Sequence, residues 1–256
     1  MSRGIETLAR SRAPAQDDTG APTGGSDPFT PIPRRSLSER AYQEIRTALM
    51  RSRLKPGTKL LLRPLSTSLG ISATPVREAL LRLVSEHGLE MDERGTAFVP
   101  VLDRSTLMQI RALRVELEGR SAESACSRAT EEDIAHLASI HEAMDASLES
   151  ADFARAIEMN ERFHFALCRL GAMPILFQIV ETLWMRCGPI LAHLYDNGPI
   201  PFDVHPHIRI CEALRRRDRA AMRPLIEEDI LRGGDGLLAF VDMDAQDDRS
   251  GDPGER

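Results

Sequence analysis

Aromatic residues are scarce in this chain: 4% of 256 residues, with one Trp and two Tyr. A core built without them must rest on Leu, Ile, Ala, Val and Met, a mixture that favours helices over sheets. Cysteines are few as well. Cys126, Cys168, Cys187 and Cys211 lie far apart with no C-x-x-C pair, which excludes a disulfide framework and a thiolate metal knuckle. Each falls in an expected helix among apolar neighbours, so buried free thiols are expected. No apolar run approaches the length of a membrane span and no signal peptide is visible. A cytoplasmic chain with no membrane partner is the expectation.

Net charge is -6, which by itself argues against a nucleic-acid partner. Its distribution reverses the argument. Between Arg34 and Arg82 eleven basic residues face Glu39, Glu44 and Glu78, leaving that segment at +8 and the remainder at -14. A basic module on an acidic body suits local attraction to phosphate, although a solvated charged face has the same composition.

The pattern along the chain is mainly α. Residues 1–33 are rich in Gly, Pro, Ser, Thr and Asp and read as a disordered arm, and the acidic stretch 242–256 reads as a disordered tail. Residues 34–101 read as a winged helix-turn-helix. A first helix opens at Ser36, with Glu39 completing a capping box, and stops at Lys55-Pro56-Gly57. A second helix covers about 63–69 and ends at Gly70. A third runs over about 75–86, with Thr74 as N-cap and Pro75 as first residue. Two short strands around Asp92-Glu93-Arg94-Gly95 complete a hairpin. Residues 102–241 read as an all-α, six-helix bundle-like domain. Its helices fall at about 103–128, 131–149, 152–170, 173–195, 203–216 and 218–240. Asp103, Thr130 and Asp152 are the expected caps, and Gly171, Gly198 and Gly233 the expected stops.

Arg77, in the opening turn of the third helix, opposes the helix dipole, so local stability does not explain it. A phosphate or a guanine edge ahead of the helix would, since arginine reaches guanine O6 and N7 with two parallel bonds. Pairing with a carboxylate on its own surface is the plainer alternative. Ser72 and Thr74 offer hydroxyls for phosphate, and Arg63 opens the preceding helix.

In the helical domain several polar residues occupy positions that the helical period assigns to the core. Asn160 and His164 share a stripe with Phe153, Ile157 and Leu167; His207 joins Ile210, Cys211 and Leu214; Asp229 joins Met222, Leu225 and Ile226; Arg114 joins Leu107, Ile110 and Leu117. Buried polar groups need partners, so several converging in one bundle suggest a polar cavity. Two imidazoles with a carboxylate and an amide can hold a divalent metal such as Zn2+. Separate hydrogen-bonded core histidines are the alternative. His136, His141, His193 and His205 have no assigned role and read as surface or loop residues.

Pro56-Gly57-Thr58-Lys59-Leu60, Leu69-Gly70-Ile71-Ser72, Thr74-Pro75-Val76-Arg77-Glu78-Ala79-Leu80, Arg82-Leu83, His87-Gly88-Leu89 and Gly95 with Val99 resemble the signature of GntR-family transcription regulators. The resemblance implies a homodimer on a double-stranded DNA operator. It implies DNA contacts at Arg63 and Arg77, beside which Ser72, Thr74 and the wing at Gly95 are the further contacts expected from the residues. Ala73 departs from the arginine usual at that place. Arg114-x-x-x-Glu118, Asn160-x-x-Phe163-His164 and His207-x-x-Ile210 resemble the FCD effector domain of FadR-like members. That resemblance implies a metal on Asn160, His164 and His207, with Asp229 where a fourth ligand is usually His. It also implies a small carboxylate effector near Arg114, for which a buried ion pair with Glu118 or Glu123 is the alternative. The function implied is a ligand-responsive regulator, a repressor released by its ligand. A metal-dependent lyase or hydrolase with an attached DNA-binding domain is the competing reading.

Overall fold

A computed structural model describes residues 37–196, 200 and 202–250. The arm at 1–33, the cap at Ser36 and the stop at Gly198 lie outside the described residues.

The N-terminal head begins with α1 (Leu37–Met50), which buries Ala41, Tyr42, Ile45 and Leu49 at helical spacing. Next come β1 (Lys59–Leu60), α2 (Leu62–Leu69) and α3 (Ala73–Ser85). Gly70 ends α2 in the left-handed region at φ 65° and returns its N–H to Ser66 and Thr67 carbonyls, a conformation that costs glycine little. The strands β2 (Glu90–Met91) and β3 (Ala97–Phe98) form the wing. Two strands were expected; the sheet has three, in the order β1-β3-β2, with Lys59 opposite Phe98 and Glu90 on its other side. A two-residue strand carries no readable period, which is why β1 escaped the pattern. Arg82 lies 3.6 Å over the Tyr42 ring and pairs with Glu39 and Glu86, locking α3 onto α1.

One helix start moves. Ser72, not Thr74, is the N-cap of α3, and Pro75 is its third residue. Proline is tolerated there because the first turn of a helix has no use for its amide N–H. Arg77 is therefore the fifth residue of the helix and not in its first turn.

The body follows as α4 (Arg104–Ala125), α5 (Glu131–Glu149), α6 (Phe153–Leu170), α7 (Pro174–Cys187), a 3-10 helix at Gly188–Tyr195, α8 (Pro206–Arg215), α9 (Arg219–Gly233) and α10 (Asp235–Ser250). Asp103, Thr130 and Asp152 cap α4, α5 and α6 as expected, each accepting an N–H from three residues ahead. Helix α4 lies at the centre against α6, α7 and α9, while α5 packs on α6 and α8.

Three expectations are corrected. The helix expected at 173–195 changes to 3-10 form at Gly188-Pro189, where proline removes an N–H from the ladder. The helix expected at 218–240 breaks at Gly234 into α9 and α10. The stretch from Asp242 expected to be disordered continues α10 to Ser250, because Leu237 and Val241 anchor that helix in the core. With these changes the body holds seven α-helices and a 3-10 helix among the described residues, not six.

Pro174–Tyr195 is a further departure: 22 residues with mean hydropathy 1.3, long and apolar enough by composition to cross a membrane. Val180, Leu183, Trp184, Met185, Ile190 and Leu191 are buried against the rest of the fold. Such burial is what a helix in the middle of a helical body requires.

Candidate functional site

The head presents one polar face. Arg63 in α2, Ser72, Ala73, Thr74 and Arg77 at the start of α3, and Gly95 at the wing tip are all exposed. Gly95 turns the wing at φ +76°, and Asp92 closes that turn by accepting the Arg94 and Thr96 N–H groups. Arg63 and Arg77 form no ion pair among the described residues, so the surface pairing considered for Arg77 is absent from them. An exposed guanidinium beside the amino end of a helix is an arrangement that phosphate or a base edge satisfies.

The buried centre forms where α4, α6, α7, α8 and α9 meet. Glu118, 1% exposed, accepts from Arg114 Nε at 2.6 Å, from Trp184 Nε1 at 3.0 Å and from His164 Nδ1 at 2.8 Å. The Arg114 guanidinium stacks 4.0 Å over the Trp184 ring. His164 Nε2 meets Asp229 Oδ2 at 2.8 Å, and Asp229 Oδ1 lies 3.6 Å from His207 Nε2. Asn160 lines the same cavity as His164, Asp229 and Arg114.

Charge is balanced within this group. Burial alone would raise the Glu118 carboxyl, but Arg114 and His164 bring it down to about 2. Burial alone would lower His164, but Glu118 and Asp229 on either side push it up to about 9. Asp229, whose carboxyl burial would raise, is held well below the carboxylate range by His207 and His164. Two anions therefore face two cations in the dry interior. His207 differs: burial takes it down to about 4 despite Asp229, and both of its ring nitrogens are buried without a hydrogen bond.

The donor set suits a divalent cation. Glu118 on Nδ1 turns His164 Nε2 towards Asp229, the outer-carboxylate arrangement found behind metal-bound histidines. The unpartnered nitrogens of His207 supply a second lone pair, and His164, His207 and Asp229 offer ligand atoms within 4.8 Å of one another. Arg114, expected beside a ligand carboxylate, does form the ion pair with Glu118 weighed as its alternative. It still lines the cavity, and its Nη2 makes no hydrogen bond among the described residues.

Three residues were missed or misread. Arg111, one residue from Ile110 on the inner face of α4, is 5% exposed and lines the cavity. It donates to the Leu231 carbonyl and to Asp235 at 3.1 Å, and its Nε has no partner. His141 is buried, not on the surface, and half-buried His205 lies with it against His207. His136 is exposed as expected.

Head and body meet at α1. Arg51 pairs with Glu161 at 2.8 Å and Glu158 at 3.2 Å, both on α6. Arg46 pairs with Glu181 of α7 at 2.9 Å. Ser52 Oγ donates to the Pro189 carbonyl and accepts from the Ala192 N–H. A Cβ at Gly188 would lie 2.4 Å from the Leu49 carbonyl oxygen, so only glycine permits this backbone approach. Glu161 directly follows Asn160, and α6 thus touches both the head and the cavity.

A winged head that exposes Arg63 and Arg77 without an ion pair among the described residues, joined to a helical body with a polar centre, defines a DNA-binding transcription regulator with a sensory domain. Comparison with known proteins makes the class specific. Residues 37–99 match "Bacterial regulatory proteins, gntR family", and residues 109–232 match the FCD domain. The chain is 34% identical over 197 residues to the HTH-type transcriptional regulator McbR of Escherichia coli K12, covering 75% of this chain and 89% of that one. It is 30% identical over 167 residues to the Nta operon transcriptional regulator of Aminobacter aminovorans, covering 65% and 79%. The solved structure of E. coli McbR/YncC superposes with a TM-score of 0.72 at 30% identity, covering 83% of this chain and all of that one. The chain belongs to the GntR family and carries an FCD domain. Regulators of this kind bind DNA and dimerise, and some FCD domains bind metals. The lyase or hydrolase reading finds no support among these relatives, which are named as transcription regulators.

Proposed function

We propose that this chain is a ligand-responsive repressor that acts in the cytoplasm as a homodimer, with two heads on the half-sites of a pseudo-palindromic operator roughly one helical turn apart. Arg77 reads a base edge, while Arg63, Ser72, Thr74 and the wing at Gly95 hold the backbone. With Ala73 in place of arginine, Arg77 carries more of the base discrimination. The ligand is a small carboxylate. It enters the cavity of α4, α6 and α9 and takes up the free Nη2 of Arg114 and the unpartnered Nε of Arg111. A divalent cation held by His164, His207, Asp229 and Asn160 would supply a further positive charge for it.

One observation carries the coupling. Helix α6 presents Asn160 and His164 to the cavity and Glu158 and Glu161 to Arg51 of the head. A ligand that shifts α6 shifts the anchor of α1, and with it the spacing of the two heads. Regulation then follows if the ligand binds the two arrangements unequally.

The test is operator binding by fluorescence anisotropy, over a panel of small organic acids, for the wild type and Arg51→Ala. The wild type should lose at least tenfold in affinity with the matching acid. Arg51→Ala should bind the operator but respond several-fold less. An equal response in the variant overturns the coupling through α6.

A further inference from the structure

Three imidazoles meet on the far side of His207. His141 from α5, His205 just ahead of α8 and His207 in its first turn have ring centroids 4.9, 4.5 and 5.5 Å apart. One ring nitrogen from each lies within 4.8 Å of the other two. His141 is 5% exposed and His207 fully buried, and neither ring makes a hydrogen bond among the described residues. Buried polar atoms without partners are rare and destabilising, and here four of them gather in one place.

The surrounding contacts do not satisfy these atoms. Asp145 Oδ2 is 3.2 Å from His141 Nε2 but outside hydrogen-bond geometry. Asp229 Oδ1 is 3.6 Å from His207 Nε2. Phe163 stacks flat on the His207 ring at 3.7 Å and offers no acceptor. His205 Nδ1 accepts the His207 backbone N–H at 3.2 Å and so caps the start of α8.

We propose that His141, His205 and His207 form a seat for a borderline transition-metal cation, Zn2+, Ni2+ or Cu2+, separate from the His164–Asp229 side and sharing His207 with it. Imidazole donors select these ions over Mg2+, Ca2+ or Mn2+, which prefer oxygen. Zinc held at about 2.0–2.1 Å requires nitrogens roughly 3.4 Å apart, so the three rings close inward by rotation about their side-chain bonds. His205 precedes the helix and gives up its bond to the His207 N–H in doing so. Asp145 is placed to hold the His141 tautomer from outside, as carboxylates do behind metal-bound histidines. An open groove lined by Asp145, Phe202 and Val204 brings solvent to His205. A neutral imidazole has one lone pair to give, so an ion on this side excludes one on the Asp229 side. The cation chosen then decides which half of the centre is occupied.

The test uses the full chain, stripped with chelator and titrated with Zn2+ and Co2+. It reads stoichiometry by mass spectrometry of the metal, and the ligand field from the visible Co2+ spectrum. The wild type should bind one ion per chain. His141→Gln and His205→Gln, which lie outside the His164–Asp229 set, should each weaken binding at least tenfold and alter the Co2+ bands. His205 caps α8 from a half-buried position, and circular dichroism checks that its variant keeps the fold. No binding by the wild type overturns the proposal, as does unchanged binding in either histidine variant. Operator binding by the metal-free protein, measured alongside, separates failure of this seat from failure of the DNA reading.

Discussion

Replacing Glu118 with glutamine removes the charge at the middle of the buried centre while keeping its shape. Glu118 accepts three bonds, two from charged donors. Raising His164 from 6.5 to about 9 is worth on the order of 3 kcal/mol, at about 1.4 kcal/mol per pH unit. The descent of Glu118 to about 2 owes most to Arg114 and only partly to this same attraction, so it is not added. The sign follows from the proton. A histidine raised above its unfolded value stabilises the fold fully below about pH 6.5, and that stabilisation fades as pH rises towards 9. Metal-stripped wild type should therefore lose on the order of 3 kcal/mol of unfolding free energy between pH 6.5 and 9. Glu118→Gln should be less stable at pH 6 and should lose less over that range than the wild type, the remainder being the share that Asp229 holds. Urea denaturation at pH 6, 7.5 and 9, with the slope checked for constancy, measures both. A glutamine variant as pH-sensitive as the wild type would refute the assignment of His164 as a buried cation held by Glu118.

Arg77→Ala should weaken operator binding by about 1–3 kcal/mol and flatten the preference at one base pair; anisotropy on a set of single-base operator variants checks this, and an unchanged profile removes Arg77 from base reading. Gly188→Ala places a Cβ 2.4 Å from the Leu49 carbonyl and 2.5 Å from Met50 Cα. Backbone must move to admit it, at about 1–3 kcal/mol, so calorimetry should find a melting temperature lower by several degrees. A melting point equal to the wild type would mean that head and body do not approach as closely as described.

Much of this structure was readable because helices carry a long period. Asp103, Thr130 and Asp152 announced three helix starts through capping chemistry that acts over three residues. Asn160, His164, His207 and Asp229 stood out as polar residues on apolar stripes. His141 carried the same signal, four residues after Leu137 and three before Met144, and Arg111 carried it four residues after Leu107; both were overlooked. His205 carried none, since it lies ahead of its helix and owes its place to the packing of α5 against α8. The strand β1 was too short for any period, and the acidic composition beyond Asp242 hid a helix held by Leu237 and Val241. The pairing of Arg51 with Glu161 joins residues 110 positions apart, a relation that only the folded chain reveals.

Helix α6 divides its duties by side. Side chains that line the cavity point one way, and the acids that hold the head point another. On the proposed coupling, substitution at 160 or 164 changes what is sensed while the link through 158 and 161 stays intact. Descendants of such a protein can take up new chemical signals without rebuilding their grip on the genome.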